Sequence, residues 1–276
     1  MKQIPNFFTL LNLIFGCLAI VCILQTGENI VGIDEGSVTG TAINFPEKIW
    51  WGALFLFAAA VVDFLDGFLA RLLKAQSGMG EQLDSLSDMV SFGVAPGMIL
   101  YQLLRMAYAR NEGGLDVNWI WLFPAFIFTG AVAWRLAKFN ISTTQKYNFE
   151  GVPSPAGGLL IASLPLVLFY NENEAVANVL LNPWTLYAII LLVAYLMVSR
   201  HSFMALKFRD YSLRNNGLKY GLLAAGLVLI LLLGWLSVPA IFLLYVVLSF
   251  FNKEPVQTAA AAPSHSNPRE EKDITV

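Results

Sequence analysis

The sequence predicts an all-α integral membrane protein. The chain is 57% hydrophobic and only 13% charged, whereas a soluble globular domain carries about 25% charged residues. Its mean hydropathy is +0.63, and its apolar runs recur at about the 20 residues that a helix needs to cross a bilayer. The net charge of -2 gives no basic excess, which argues against nucleic acid as a partner.

Eight apolar segments are candidates for membrane-spanning helices. They lie at roughly 7–24, 50–73, 83–107, 118–139, 155–170, 183–199, 217–234 and 237–251. The fifth and the last are short, so seven spans is the main alternative. No small-residue cleavage site follows the first segment, so we expect a retained helix rather than a signal peptide. We therefore predict one membrane-embedded domain over residues 1–251.

The charges between these segments predict an orientation. The charged residues of segments 25–49 and 171–182 are mostly acidic, whereas segment 200–219 carries five Lys or Arg residues. Basic loops remain in the cytoplasm, so both termini should face the cytoplasm. We expect a protein of the cell (inner) membrane whose active site faces the cytoplasm. Arg105 and Arg110 are exceptions to this pattern.

Two other regions are interpreted as carrying no chemistry. Residues 252–276 are rich in Pro, Ala, Ser and charge, which predicts a disordered cytoplasmic tail. Cys17 and Cys22 both lie in the first apolar segment. We interpret them as small packing residues rather than a disulfide or a metal site.

The second and third segments each carry a regularly spaced acidic face. In the second, Asp63 and Asp66 are three residues apart, and Gly67 and Arg71 continue the same face. In the third, Gly80, Asp84 and Asp88 are four residues apart. A short turn centred on Ser77 and Gly78 would make the two helices antiparallel neighbours. The two acidic faces are therefore expected to converge near the cytoplasmic surface.

Four aspartates in such helices are costly. One Asp at the centre of a membrane helix costs about 2.5–3.5 kcal/mol, so four would cost about 10 kcal/mol, comparable to the stability of a domain. Polar helix ends around a short loop are an alternative, and they explain Lys74, Gln76 and Glu81. They do not explain four in-phase Asp residues on two facing helices, which we interpret as a functional site.

Hard divalent cations would relieve the repulsion between these carboxylates. His201 and His265 are the only histidines, and neither is near the motif. An all-oxygen site favours Mg²⁺, Mn²⁺ or Ca²⁺ over zinc. Two such cations would suit phosphoryl transfer, because they can neutralise developing charge on a pyrophosphate. Gly67 would leave room for a ligand, and the planar guanidinium of Arg71 would suit a phosphate.

The complete pattern resembles the signature of the CDP-alcohol phosphatidyltransferase family. It reads Asp63-x-x-Asp66-Gly67-x-x-Ala70-Arg71, eight residues, then Gly80-x-x-x-Asp84-x-x-x-Asp88. Further segments resemble the membrane-embedded phosphatidylserine synthases within that family: IPNFFTLLNL at 4–13, DSLSDMVSFGVAP at 84–96, RLAKFN at 135–140, GVPSPA at 151–156 and LMVSR at 196–200. The resemblance implies a six-helix core, here with two additional C-terminal helices.

The resemblance also implies roles for individual residues. Asp63, Asp66, Asp84 and Asp88 match the ligands of two divalent cations, Mg²⁺ or Mn²⁺, and Asp88 also matches the base that takes the acceptor proton. The positions that match contacts to the CDP group are Gly67, Arg71 and Ser77, with Asn6 to Thr9 as a further nucleotide-contacting segment. The implied reaction transfers the phosphatidyl group of CDP-diacylglycerol to L-serine and releases CMP. A homodimer among membrane lipids would fit the resemblance.

The residues that hold the acceptor stay open at this stage. Arg135, Lys138, Asn140 and Arg200 are candidates for binding serine, and each is also typical of a basic or polar helix end at the membrane surface. The alternatives for the reaction are another alcohol acceptor, such as glycerol 3-phosphate, inositol or choline, or an ether-linked archaeal lipid. A cation or proton transporter is a further alternative, but its acidic residues should be distributed across the membrane depth.

Overall fold

The computed structural model describes residues 3–25, 48–75, 77–110, 117–141, 151–201, 203–204 and 213–251. These residues form helices and no strand, as the sequence predicts. Residues 26–47 of the predicted connector at 25–49 and the predicted tail at 252–276 lie outside the described residues, as do Gln76 and most of the basic segment before the last two helices.

Ten α-helices follow one another along the described chain. They are α1 Ile4–Leu24, α2 Ile49–Leu72, α3 Gly78–Asp88, α4 Ala95–Ala109, α5 Ala125–Ile141, α6 Ser154–Tyr170, α7 Glu174–Leu180, α8 Pro183–Val198, α9 Leu213–Leu233 and α10 Ser237–Phe251. A π-helical segment, Met89–Val94, joins α3 to α4 without a break. Short 3-10 helices precede α5 and α10, at Trp119–Trp121 and Gly234–Leu236.

Fewer than eight described helical stretches have the length and hydropathy of a membrane span. Four described stretches are long and apolar enough to cross a membrane: Ile4–Leu24, Ile49–Leu72, Gly78–Ala109 and Asn216–Phe250. Helices α7 and α8, bent by 63°, make a fifth if they form one span. Helices α5 and α6 have 17 residues each, which is short of the roughly 20 residues of a full span. The count of eight therefore stays a prediction.

The last stretch is a helical hairpin. Gly234 has a φ of 52°, and a Cβ at Gly226 would lie 3.6 Å from Cδ1 of Ile241. In a straight helix these two residues would be about 22 Å apart, so the chain reverses at Gly234. The predicted boundary between the segments 217–234 and 237–251 coincides with this reversal, and Gly tolerates the positive φ found there.

Two predicted boundaries differ from the structure. The predicted span at 118–139 begins with a 3-10 turn, and the α-helix starts only at Ala125, after Pro124. The predicted connector at 171–182 contains α7, which begins where the side chain of Asn173 accepts a hydrogen bond from the N–H of Ala175 at 2.9 Å. Such a cap starts a helix independently of hydropathy, which explains why the apolar pattern did not reveal it.

Helix α1 packs closely against both helices of the acidic motif. A Cβ at Gly52 of α2 would lie 2.8 Å from Cγ1 of Ile23, and a Cβ at Gly16 would lie 3.0 Å from Cα of Ser91 in the π-helical segment. Glycine at both contacts lets the backbones approach. The polar residues of α1 are thereby held beside the acidic residues of α2 and α3.

The π-helical segment follows Asp88 directly. Its wider turn frees carbonyl groups from regular α-helical pairing, and the hydroxyl of Thr129 on α5 donates to the carbonyl of Gly93 at 3.1 Å. On another side, a Cβ at Gly158 of α6 would lie 3.1 Å from Cβ of Phe92. Helix α6 is buried at 11 of its 17 residues, as expected of a central helix. Both helices therefore hold the chain in place immediately after the motif.

Candidate active site

The turn between α2 and α3 brings the two acidic faces together. Lys74 adopts a φ of 48°, which reverses the chain after α2. Ser77 then caps α3, because its Oγ accepts a hydrogen bond from the N–H of Gly80 at 3.0 Å. The sequence places the turn at Ser77 and Gly78, whereas the structure has Gly78 already inside α3. Asp84 and Asp88 follow on the face turned toward α2.

Three carboxylates converge there. One oxygen from each of Asp63, Asp66 and Asp84 lies within 4.8 Å of the other two. Asp88 is outside this group of three, but its carboxyl is within hydrogen-bonding reach of Asp63. Asp66 is 5% exposed and Asp88 is 8% exposed, so two of the four acids have little contact with solvent. The structure thus brings together all four aspartates that the sequence predicts as a site.

The arrangement fits a divalent cation with oxygen ligands. Oδ2 of Asp66 is buried and has no hydrogen-bond partner among the described residues. A buried carboxylate without a partner is unfavourable, and close carboxylates repel one another. A hard cation would supply the missing partner and reduce the repulsion. The donor set therefore fits Mg²⁺ or Mn²⁺, and it lacks the nitrogen and sulfur ligands that zinc prefers.

Helix α1 contributes polar groups to the same cluster. Thr9, which the sequence predicts as a nucleotide contact, is buried and lies within hydrogen-bonding reach of the Asp66 carboxylate. Asn12 is fully buried, and its Nδ2 donates to Oδ1 of Asp88 at 3.4 Å. The hydroxyl of Ser87 donates to the carbonyl of Thr9 at 2.9 Å, which ties α1 to α3 at this level.

Asn12 is not among the site residues predicted from the sequence. The signal was present, because Pro5, Thr9, Asn12 and Gly16 follow one another at helical spacing and share the buried face of α1. A fully buried amide on a largely apolar helix requires a polar partner. Helical periodicity shows that Asn12 is buried, but it does not show that Asp88 is the partner.

Three other predicted nucleotide contacts, Asn6, Gly67 and Arg71, lie on the helices around the cluster. Asn6 donates to Oε1 of Gln3 at 3.3 Å, and its Oδ1 would lie 3.0 Å from a Cβ at Gly80. It therefore lies beside the start of α3. A Cβ at Gly67 would meet no atom within 4 Å, so the face of α2 beside Asp66 is open. Arg71 is exposed one turn further along the same helix.

A cavity of about 660 Å³ opens next to the cluster. Its polar lining comes from one arginine of α2, one arginine of α5 and part of the acidic motif: Arg71, Glu81, Asp84, Ser85, Asp88, Arg135 and Asn140. Much of its apolar lining comes from α6 and the C-terminal hairpin: Pro155, Ala156, Leu159, Leu222, Val238, Ile241 and Phe242. Such a cavity suits a ligand with a charged head and a hydrocarbon tail.

The structure separates the four candidates for binding the acceptor. Arg135 and Asn140 line the large cavity, and the Asn140 Oδ1 accepts a hydrogen bond from Ser85 at 3.0 Å. Lys138 lines a small neighbouring cavity of about 10 Å³. Arg200 is exposed and lines neither of these two cavities. Only Arg135 combines a charge with a position beside Asp88.

Comparisons with known proteins agree with this arrangement. The family model of the CDP-alcohol phosphatidyltransferases matches residues 2–251. A CDP-diacylglycerol–serine O-phosphatidyltransferase of Bacillus subtilis is 32% identical over 164 residues, which are 59% of this chain and 76% of that protein. The enzyme of the same name from Mycobacterium tuberculosis is 35% identical over 145 residues, 50% of this chain and 47% of that protein.

A third relative has a related name. The archaetidylserine synthase of Methanothermobacter thermautotrophicus is 29% identical over 176 residues, 62% of this chain and 61% of that protein. The chain thus spans three quarters of the Bacillus protein but only about half to three fifths of the other two. The family match covers the acidic motif, both helices that carry it and the C-terminal hairpin. This chain belongs to the CDP-alcohol phosphatidyltransferase family, which is a family of phosphotransferases.

Proposed function

We propose that this protein transfers the phosphatidyl group of CDP-diacylglycerol to the hydroxyl of L-serine, giving phosphatidylserine and CMP. The observation that carries the proposal is the position of the acidic cluster. Three converging carboxylates and Asp88 lie beside a cavity that is lined by charged side chains and by a larger apolar surface. A donor with a pyrophosphate and two acyl chains combines a charged part with apolar parts in the same way.

The head group of the donor would lie beside the acidic cluster. Gly67 leaves the face of α2 open there, and Arg71 lines the cavity one turn away. Arginine suits a phosphate because its planar guanidinium donates several hydrogen bonds. Asn6 and Ser77 lie beside Gly80 at the start of α3, and Thr9 lies beside Asp66. The cytidine would contact these residues. The acyl chains would extend along α6 and the C-terminal hairpin.

Asp63, Asp66, Asp84 and Asp88 would hold two divalent cations, Mg²⁺ or Mn²⁺. When bound, the cations supply positive charge that neutralises the pyrophosphate and stabilises the departing CMP. The protein residues provide the orientation: α2 and α3 hold their carboxylates on facing helical turns, and α1 supports two of them from the side.

Asp88 is proposed as the base. Its carboxylate accepts the proton of the serine hydroxyl, and the serine oxygen forms a bond to the phosphorus on the lipid side. The bond between that phosphorus and the oxygen of CMP breaks, and the electron pair leaves with CMP. Asn12 donates a hydrogen bond to Asp88, which orients its carboxylate. Positioning of this kind supplies much of the catalysis in phosphoryl transfer.

Serine is the acceptor that the relatives support. The names of the Bacillus, mycobacterial and methanogen relatives share serine, although the lipids that they name differ. An acceptor such as glycerol 3-phosphate or inositol would use the same chemistry on the same cluster, and the experiment below distinguishes them. The charges between the apolar segments support a cytoplasmic active site in the inner membrane.

Release of CMP by the purified protein in detergent tests the proposal. The reaction would contain CDP-diacylglycerol and Mn²⁺ or Mg²⁺, with L-serine, inositol or glycerol 3-phosphate as acceptor. We expect CMP release that requires both serine and metal and that Asp88→Asn abolishes. Release with a different acceptor would overturn the serine assignment and keep the chemistry. Folded protein that releases no CMP with any acceptor would overturn the whole proposal and favour a transporter.

A further inference from the structure

Arg135 lines the cavity, and part of its guanidinium makes no hydrogen bond to the described residues. Its Nη1 donates to Oγ of Ser154 at 2.9 Å. Its Nε is buried and has no hydrogen-bond partner among the described residues. Leaving a buried donor unpaired is unfavourable, so this nitrogen is a candidate for ligand binding. The donor fork of arginine is planar, and the edge that contains Nε is the one that Ser154 does not occupy.

The support of this arginine is rigid. Ser154 is 1% exposed and begins α6. Two of the three residues before it are bonded to α8 and the segment that follows it, because the N–H of Val152 donates to the carbonyl of Leu196 at 3.1 Å and that of Gly151 donates to the carbonyl of His201 at 3.0 Å. The hydroxyl that orients the guanidinium therefore belongs to a buried residue whose backbone is fixed by these bonds.

Arg135 lies near the proposed base. Arg135, Asp88 and Tyr245 of α10 line the same cavity. Arg135 interacts electrostatically with both of the other residues. A ligand anion on Arg135 would be close to Asp88 but separate from the three-carboxylate cluster. In serine, the carboxylate and the hydroxyl are separated by two carbon atoms. An acceptor held by its carboxylate at Arg135 could therefore present its hydroxyl to Asp88.

We propose that Arg135 binds the carboxylate of the amino-acid acceptor and so selects serine over alcohols without a carboxylate. The inference rests on the proposed function and adds the residue that recognises the acceptor. A carboxylate matches one edge of a guanidinium with two parallel hydrogen bonds. A phosphate of the donor has the same chemistry at that edge, so the test separates the two sources by their kinetics.

The first test compares Arg135→Gln with the wild-type protein in the CMP-release assay, varying serine and CDP-diacylglycerol separately. We expect KM for serine to rise about 10- to 100-fold, because hydrogen bonds to a charged group are lost. We expect KM for CDP-diacylglycerol to change less than about twofold. Arg110→Gln is the matched control, because Arg110 is exposed and outside the cavity, and the kinetics of this variant should equal those of the wild type.

The second readout is discrimination between acceptors. Serinamide keeps the hydroxyl and the amine of serine but replaces the carboxylate with a neutral amide. The wild-type protein should prefer serine to serinamide by a large ratio of kcat/KM, and Arg135→Gln should reduce that ratio toward one. A merely structural role would lower both activities together. Ser154→Ala keeps the charge of Arg135 but removes the hydroxyl that orients its guanidinium. This variant should raise KM for serine by a few-fold and reduce the ratio less than Arg135→Gln does.

The outcomes separate the two proposals. A serine-active wild type whose acceptor ratio is unchanged in Arg135→Gln and in Ser154→Ala would overturn the assignment of Arg135. A rise in KM for CDP-diacylglycerol alone would assign Arg135 to a donor phosphate and also overturn it. A wild-type protein that releases CMP with another acceptor and not with serine would overturn the proposed function itself, together with the carboxylate assignment.

Discussion

The amide of Asn12 on α1 donates to the carboxylate of Asp88 on α3, with 3.4 Å between Nδ2 and Oδ1. These residues are 76 positions apart in the chain, and both are buried. The first helix therefore reaches the last aspartate of the acidic motif. This contact gives α1 a direct influence on the group that we propose as the base.

Substitution of Asn12 tests that influence. Asn12→Leu replaces the donor with an apolar side chain of similar size. The Asp88 carboxylate therefore loses one orienting contact. We expect kcat for CMP release to fall about tenfold, as for one lost hydrogen bond to a charged group. KM for serine and for CDP-diacylglycerol should change less than about twofold.

Ser163→Ala is the control for this substitution. Its hydroxyl is also buried in an apolar helix, where it donates to the carbonyl of Leu160 at 2.6 Å, but it is not part of the site. The control should retain wild-type kcat. If Asn12→Leu also retained it, Asn12 would have only a packing role.

The three-carboxylate cluster predicts a metal requirement that depends on particular residues. Asp66→Asn and Asp84→Asn each keep the shape of the side chain but remove a charge from the group of three. We expect either change to lower CMP release more than about 100-fold and to weaken Mn²⁺ binding, because hard cations prefer carboxylate ligands. Binding of Mn²⁺ by electron paramagnetic resonance and the Mn²⁺ dependence of the rate provide the two measurements.

Removal of the metal and an acidic control complete that experiment. Treatment with a chelator should abolish activity, and added Mn²⁺ should restore it. Glu174→Gln alters an acid on α7 that is outside the cavity and the cluster, and it should change neither measurement. Unaltered Mn²⁺ binding in both Asp variants would contradict a metal site at this cluster.

Gly67 provides a test that separates binding from folding. A Cβ at this position would meet no atom within 4 Å, and Ala is the better residue in a helix by about 0.5–1 kcal/mol. Gly67→Ala should therefore keep or raise the melting temperature in detergent. The new methyl group would occupy the open face beside Asp66, so we expect KM for CDP-diacylglycerol to rise several-fold.

Gly130→Ala is the matched control for Gly67→Ala. Gly130 lies on the exposed face of α5, and a Cβ there would also meet no atom within 4 Å. The control should leave KM for the donor unchanged. An unchanged KM in Gly67→Ala as well would show that the donor does not approach this face of α2.

Gly151 predicts a stability effect that acts through sterics. Its φ is 75°, and a Cβ there would overlap the carbonyl oxygen of Met197. Gly234 has a φ of 52° but open space around it. Gly234→Ala should cost about 1–2 kcal/mol, the penalty of a left-handed conformation for a residue with a Cβ. Gly151→Ala should cost clearly more, because backbone atoms must also shift.

Thermal unfolding of both variants in detergent measures the difference. Gly151→Ala should have the lower melting temperature of the two, and it should raise KM for serine if Ser154 moves with the backbone. Equal melting temperatures would mean that the end of α8 yields to the new methyl group without cost.

Sequence alone determined the fold class and the position of the acidic motif. Helical periodicity is a local property, so the spacing of Asp63, Asp66, Asp84 and Asp88 was enough to place four carboxylates on the facing sides of two neighbouring helices. The short turn at Ser77 made those helices adjacent without any further information. The break between the predicted segments 217–234 and 237–251 likewise coincides with the reversal at Gly234.

Tertiary structure alone decided which distant groups meet this motif. The pairing of Asn12 with Asp88, the choice of Arg135 among four candidates and the apolar wall supplied by the C-terminal hairpin all join residues far apart in the chain. Such contacts depend on how whole helices pack, through close approaches such as those at Gly16 and Gly52. The periodicity of a single sequence tells which face of a helix is buried, but the packing of the helices determines what that face touches.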